Sequence, residues 1–253
     1  MRKLLTLTAA LIFGASLLHA QGGPYDPSGR WNVSVQGGVL ASLNENWFAY
    51  RDNGYLTKLI TPQASVSVGY DFSQTFGIRA SFGYGKNMAG CNVKQTSVRN
   101  NNGFWPYGFK SINGFVDAVL NFNGLNLVSR PFAPKLYAGI GYGHGFGFWR
   151  PSYSMMNDAD QLAHADLLHY KKYHPWQDVK ESTHAVAFRF GFIAEYNFTK
   201  NLGIFADICG EAYNDTFNGL QPFEWDHDKG QGYAGFPVDL RGLVSIGLVL
   251  RFN

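Results

Sequence analysis

Three groups of residues in this sequence have types and spacings that bear on chemistry. The first is a histidine series in "NDADQLAHADLLHYKKYHPW": His164, His169 and His174 recur every five residues, with Asp160 and Asp166 nearby. Metal ligands on one helix face need spacings of three or four. Asp160/His164 and Asp166/His169 alone meet that. A solvated loop helix explains the segment better than a metal site: Asn157 caps it, Asp158 and Asp160 lie in its first turn, and Lys171 and Lys172 lie at its end. The second group is Ser182 and His184, with Ser152 and Ser154 earlier in the same connection. Nucleophile–base pairs are defined by geometry, not by closeness in sequence, and no motif surrounds these residues. The third group is a set of charges, Arg79, Asp117, Arg189, Glu195, Asp207, Glu211 and Arg241, each in a segment where apolar and polar residues alternate.

That alternation dictates the elements. Arg79 lies in "FGIRASFGYG" (76–85). Phe76, Ile78, Ala80, Phe82 and Tyr84 alternate with Gly77, Arg79, Ser81, Gly83 and Gly85. A period of two is a strand with an apolar and a polar face. The same pattern predicts strands over 31–43, 63–72, 113–122, 136–145, 186–198, 202–211 and 239–252. Most are at least about 9–11 residues, enough for a tilted strand to cross a bilayer. The connections alternate in length. "SQT" and "TKN" are tight, and "NGLNLVSRPFAP" is somewhat longer. Segments 44–62, 86–111, 150–184 and 214–237 are long and polar. Short turns on one side and long loops on the other mark a membrane barrel.

Aromatics supply two boundaries. Trp31, Phe72, Phe76, Phe122, Phe198 and Phe252 fall at the short-turn ends, and Tyr84, Tyr142, Phe146, Phe148 and Phe188 towards the long-loop ends. The expected fold is therefore all-β: an eight-stranded antiparallel up-and-down transmembrane β-barrel with four long external loops and three shorter periplasmic turns. An aromatic-rich soluble sandwich is the competing architecture.

If the apolar face meets lipid, the charges point into a lumen that eight strands leave just wide enough for side chains. Glycines at 139, 141, 143 and 145 share the inward phase and leave room there. Their spacing is that of a strand, not of a nucleotide-binding loop. A lone buried charge is costly, so the inward charges must pair. Counted from the turn ends, Arg79 and Glu195 lie low, and Asp117 and Asp207 near mid-height. Arg189, Glu211 and Arg241 lie higher, on consecutive strands, where a shared network is expected. The functional alternative is a narrow ion path through these charges.

Composition agrees with a membrane barrel. Charged residues are 15% of the 253, against about 25% in typical soluble domains. The net charge of +3 gives no argument for nucleic acid, and no apolar run approaches the roughly 20 residues of a spanning helix. The opening "MRKLLTLTAALIFGASLLHA" reads as a secretory signal over 1–20: Arg2 and Lys3, an apolar stretch, then Ala20 before the cut. Gln21 follows, not the cysteine of a lipoprotein. A short lead over 21–30 then precedes a barrel domain over 31–253. Two cysteines, Cys91 and Cys209, remain in an exported chain, and two alone fix no disulfide geometry.

The segments "SVSVGYDF-SQT-FGIRASFGYG", "GFVDAVLNFN", "PKLYAGIGYG", "FGFIAEYNFTKNLGIFAD" and "SIGLVLRFN" resemble the small outer-membrane β-barrel family of OmpA/OmpX type, in variants like those of Bacteroidetes, over nearly all of the mature chain. The resemblance implies a Gram-negative outer-membrane location with both termini periplasmic. It implies contact with outer-membrane lipid and with the outer-membrane assembly machinery. In that reading Ser245, Gly247, Leu250 and Phe252 form the C-terminal assembly signal, with Asn253 departing from the pattern. The chain stops at its last strand, so the peptidoglycan-binding domain of longer members is not expected. The resemblance implies no enzyme, no cofactor and no metal. The role it implies is structural or surface-interacting, with an extracellular ligand or host surface contacted through the loops. Some eight-stranded barrels modify lipids with a Ser/His pair near the outer leaflet, so Ser182 and His184 keep an outer-leaflet enzyme as one alternative. A narrow porin-like channel is another. A lipocalin-like carrier would need an apolar lumen, which Arg79 and Glu195 contradict.

Overall fold

A computed structural model describes residues 30–43, 45–52, 54–94, 102–122, 131–149, 182–214, 217 and 238–252. The expected signal segment 1–20, nearly all of the expected lead, the histidine series, Ser152 and Ser154 lie outside the described residues. Eight strands run in chain order: β1 (Arg30–Ser42), β2 (Ile60–Asp71), β3 (Phe76–Lys94), β4 (Asn102–Asn121), β5 (Phe132–Trp149), β6 (Thr183–Asn197), β7 (Leu202–Asn214) and β8 (Val238–Phe252). Each pairs antiparallel with the next, and β8 pairs with β1 from Trp31–Phe252 to Ser42–Arg241, closing an all-antiparallel barrel. Closure leaves no edge with unpaired backbone groups.

The two short turns are built alike. In "SQT", the Ser73 hydroxyl accepts the N–H groups of Thr75 and Phe76 at 3.2 and 3.0 Å. In "TKN", the Thr199 hydroxyl accepts those of Asn201 and Leu202 at 3.2 and 3.0 Å. A hydroxyl that takes over backbone donors in this way fixes a tight reversal, and with it the register of both strands.

The period of two is realised inside out. Apolar side chains face outward, with Phe188 and Ile140 each 63% exposed and Ile246 67%. In the opposite phase Arg79, Asp117, Glu195, Asp207, Glu211, Arg241 and Arg251 are buried. Trp31, Phe72, Phe76, Phe198 and Phe252 are exposed at the turn ends, and Tyr84 and Tyr142 at the other end.

The structure corrects two expectations. Segment 86–111 is not a loop: 86–94 pairs in register with 102–110, so β3 and β4 extend as a hairpin beyond the rest of the barrel. The alternation is lost over 87–90, where residues of both faces are buried. Ala89 packs inward with Tyr107 and Phe109. Met88 packs outward under helix α1 (Glu45–Asp52), against Tyr50 and Leu59. The Tyr50 hydroxyl donates to the Ala89 carbonyl at 3.0 Å. Second, Phe148 does not face outward. Between the pairs Lys110–Phe146 and Gly108–Trp149, β5 holds one residue more than β4. Gly147 takes φ +58° there, a conformation glycine adopts without strain. This bulge reverses the phase, and Phe148 turns inward to stack on Phe109 at 5.1 Å.

Candidate functional site

The interior is organised by one row of side chains that follows the register around the barrel. Starting on β8, Arg251 lies opposite Asn32, Asn32 opposite Gly69, and Gly69 opposite Arg79. Arg79 lies opposite Asp117, Asp117 opposite Gly139, and Gly139 opposite Arg189. Arg189 lies opposite Glu211 and Glu211 opposite Arg241, which is again on β8, ten residues from Arg251. Strand tilt turns a horizontal ring into this rising spiral. Five of the seven expected lumen residues lie on it: Arg79, Asp117, Arg189, Glu211 and Arg241.

Near the short turns, Glu195 sits between two cations. Lys135 Nζ reaches its Oε2 at 3.0 Å, and the Arg251 guanidinium donates to its Oε1. Arg251 also donates to Asn197 Oδ1 at 2.8 Å. Asp71, nearby, accepts from Asn32 at 3.2 Å. Glu195 does not meet Arg79, its expected companion at that height, because each is satisfied by a closer partner.

At mid-height Asp117 is the hub. Arg79 Nε donates to Oδ2 at 2.8 Å, Arg189 Nε to Oδ1 at 2.6 Å, and Arg189 Nη2 to Oδ2 at 2.5 Å. Two parallel bonds from one guanidinium fix direction as well as attraction. Arg189 reaches Asp117 over β5 because Gly139 stands between them. A Cβ there would lie 2.5 Å from the Val116 carbonyl oxygen and would also strike the Asp117 carboxylate. Aromatic faces complete the site: Arg79 lies 4.1 Å above the Tyr137 ring, and Arg189 lies 4.2 Å above Phe115. The Tyr137 hydroxyl donates to Asp207 at 2.9 Å.

Towards the long connections, Arg241 pairs with Glu211 and donates to Asn87 at 2.8 Å and Ser111 at 3.1 Å. Tyr213 donates to Glu211 at 2.8 Å. An aromatic layer covers this group: Tyr213 stacks on Phe217 at 4.0 Å, and Phe109 meets Phe217 edge-on at 5.5 Å. The expected shared network of Arg189, Glu211 and Arg241 is therefore divided, since Arg189 belongs to Asp117.

Lys135 and Arg251 belong to the interior but were absent from the expected set. Arg251 carries the right phase in the sequence. Lys135 follows Pro134 and precedes the apolar run, so it reads as turn. Cys209 is a buried free thiol on the inner face. His184 is on the outer face, stacked on His144 at 4.4 Å. Among the described residues no hydroxyl is hydrogen-bonded to it, so the Ser182/His184 pair is not assembled here.

The fold and interior define a class: a closed eight-stranded barrel, apolar outside and ion-paired inside. No family model matches the sequence, and no curated protein matches it. Among solved structures, the chain is similar to Neisserial surface protein A at 12% identity and TM-score 0.46, over 89% of this chain and 100% of that one. It is similar to the outer membrane protein OprG from Pseudomonas aeruginosa at 10% identity and TM-score 0.45, over 90% and 97%. It is also similar to the N-terminal β-barrel domain of Pseudomonas aeruginosa OprF at 13% identity and TM-score 0.43, over 89% and 98%.

Proposed function

We propose that this protein is an integral outer-membrane barrel whose lumen is filled by its own side chains, and that it serves a structural or surface-interaction role without enzymatic activity. The carrying observation is the inverted distribution of polarity. A soluble protein rarely exposes an apolar patch beyond a few hundred Å², whereas here the exposed face of the strands is almost wholly apolar and the ion pairs lie inside. Water is the wrong solvent for such an exterior and hydrocarbon the right one, since a closed barrel meets every backbone hydrogen bond internally.

The three charge groups also support a filled lumen. Two spaces among the described interior residues are small. One of about 40 Å³ lies among Asn32, Arg79, Lys135 and Glu195, and one of about 20 Å³ lies among Gln63, Ser81, Asn113 and Arg189. Each holds a few water molecules at most. A structural barrel needs this interior to be stiff; a channel needs it open. The long connections then carry whatever surface contact the protein makes, with the short turns in the periplasm. Envelope fractionation tests the location. The protein should sediment with the outer membrane on a density gradient and resist alkaline carbonate. Release into the soluble fraction would overturn the proposal.

A further inference from the structure

The outer face carries almost no charge, and the exception is a pair of lysines. Every aspartate and glutamate on the described strands lies on the inner face. Lys86 and Lys110 lie on the outer face, each between two buried neighbours, and they stand directly opposite one another across β3 and β4. Like charges in directly opposed positions repel. Neither lysine joins any ion pair among the described residues. A barrel free to choose would not place two ammonium groups there without an anion.

The neighbouring row shows where they sit. Tyr84 lies opposite Ile112, Ile112 opposite His144, and His144 opposite His184. Tyr84 belongs to the aromatic band at the long-connection end, so the lysines lie one row beyond it, where hydrocarbon gives way to headgroups. His144 sits diagonally from Lys110, which is itself opposite Phe146. The His144 Nδ1 lies 3.2 Å from the Thr183 carbonyl oxygen. A carbonyl only accepts, so Nδ1 donates to it, and His144 is held within the ladder.

We propose that Lys86 and Lys110 bind the phosphomonoester headgroup of a lipid in the leaflet at the long-connection rim. This rests on the membrane reading above. A phosphomonoester carries close to two negative charges and three terminal oxygens, so one group bridges both ammonium ions and removes their repulsion. A phosphodiester carries one charge and satisfies them less well.

The test uses the full mature chain refolded into phosphatidylcholine vesicles doped with either phosphatidic acid, a phosphomonoester, or phosphatidylglycerol, a phosphodiester. Lipid retained by the barrel after transfer to mild detergent is measured by native mass spectrometry. The wild type retains phosphatidic acid over phosphatidylglycerol. Lys86→Gln/Lys110→Gln loses that retention by about fivefold per lysine, and excess inorganic phosphate leaves it intact. Equal retention by wild type and variant overturns the site, and displacement by inorganic phosphate overturns its assignment to lipid. Heat-dependent gel mobility, read on the same samples, separates the two readings. An inserted barrel without lipid preference defeats the site alone, whereas failure to insert defeats the membrane reading and the site with it.

Discussion

Arg189 stands directly opposite Glu211 in the β6–β7 ladder, yet its guanidinium turns the other way and grips Asp117 across a whole intervening strand. Asp117 thereby holds Arg79 and Arg189 together, while Glu211 is left to Arg241 and Tyr213. Energetic coupling should follow the hydrogen bonds, not the ladder. Asp117→Asn strands two buried cations and should destabilise the barrel by at least the roughly 3–5 kcal/mol of a broken buried pair. Glu211→Gln strands one and should cost less. In double-mutant cycles by urea unfolding in micelles, Arg189→Gln should couple strongly to Asp117→Asn and only weakly to Glu211→Gln. The reverse order would show that the two arginines are partnered as the ladder suggests.

Gly139 is the gap through which that bond is made. Gly139→Ala should destabilise by about 1–3 kcal/mol, as overpacking does, because the new methyl meets backbone and carboxylate atoms that have nowhere to move. Gly210→Ala is the control. The nearest atom to a Cβ there is 4.0 Å away, so that substitution should be close to neutral in the same unfolding assay. Equal effects at the two positions would remove the special role given to Gly139.

Phe252 ends β8, on the exposed face opposite Trp31 at the closing seam. As part of the proposed assembly signal with Ser245, Gly247 and Leu250, it should matter more in cells than in detergent. Phe252→Ala should reduce the amount of inserted protein in the envelope, measured by heat-dependent gel mobility of whole-cell samples. It should leave refolding of purified chain nearly intact, because only one boundary side chain is lost. Normal accumulation in cells would mean the signal lies elsewhere.

The proposed topology has a direct readout in intact cells. External protease should cut within 150–184 and leave a protected barrel. Cutting at "SQT", between β2 and β3, would place the short turns outside and invert the orientation.

The period of two made the strands, their phase and the inward charges readable from the sequence, because lipid and lumen impose opposite demands on successive residues. Partner choice was not readable in the same way. Asp117 and Arg189 meet because of the register of two successive ladders and the absence of a side chain at Gly139. Neither is a property of the segments in which they occur. The extension of β3 and β4 does not show in the pattern because 87–90 is buried on both faces, with Ala89 against the aromatic layer inside and Met88 under α1 outside, which erases the alternation. Phe148 lies on the face opposite to the one its phase predicts, because one extra residue at Gly147 reverses the phase without leaving a mark in the pattern. Lys135 escapes the pattern for a simpler reason: the proline before it reads as turn, although β5 begins at Phe132.

In the proposed function the charges and rings of the interior fill the lumen of a membrane-inserted barrel. Conductance across a planar bilayer tests it most directly, with insertion checked on the same preparation by heat-dependent gel mobility. Inserted wild-type protein should give no sustained open-channel current over a wide range of voltages, because Asp117, Glu195 and Glu211 hold their cations across the lumen. Discrete, long-lived current steps from inserted wild-type protein would contradict the account and establish an open ion path.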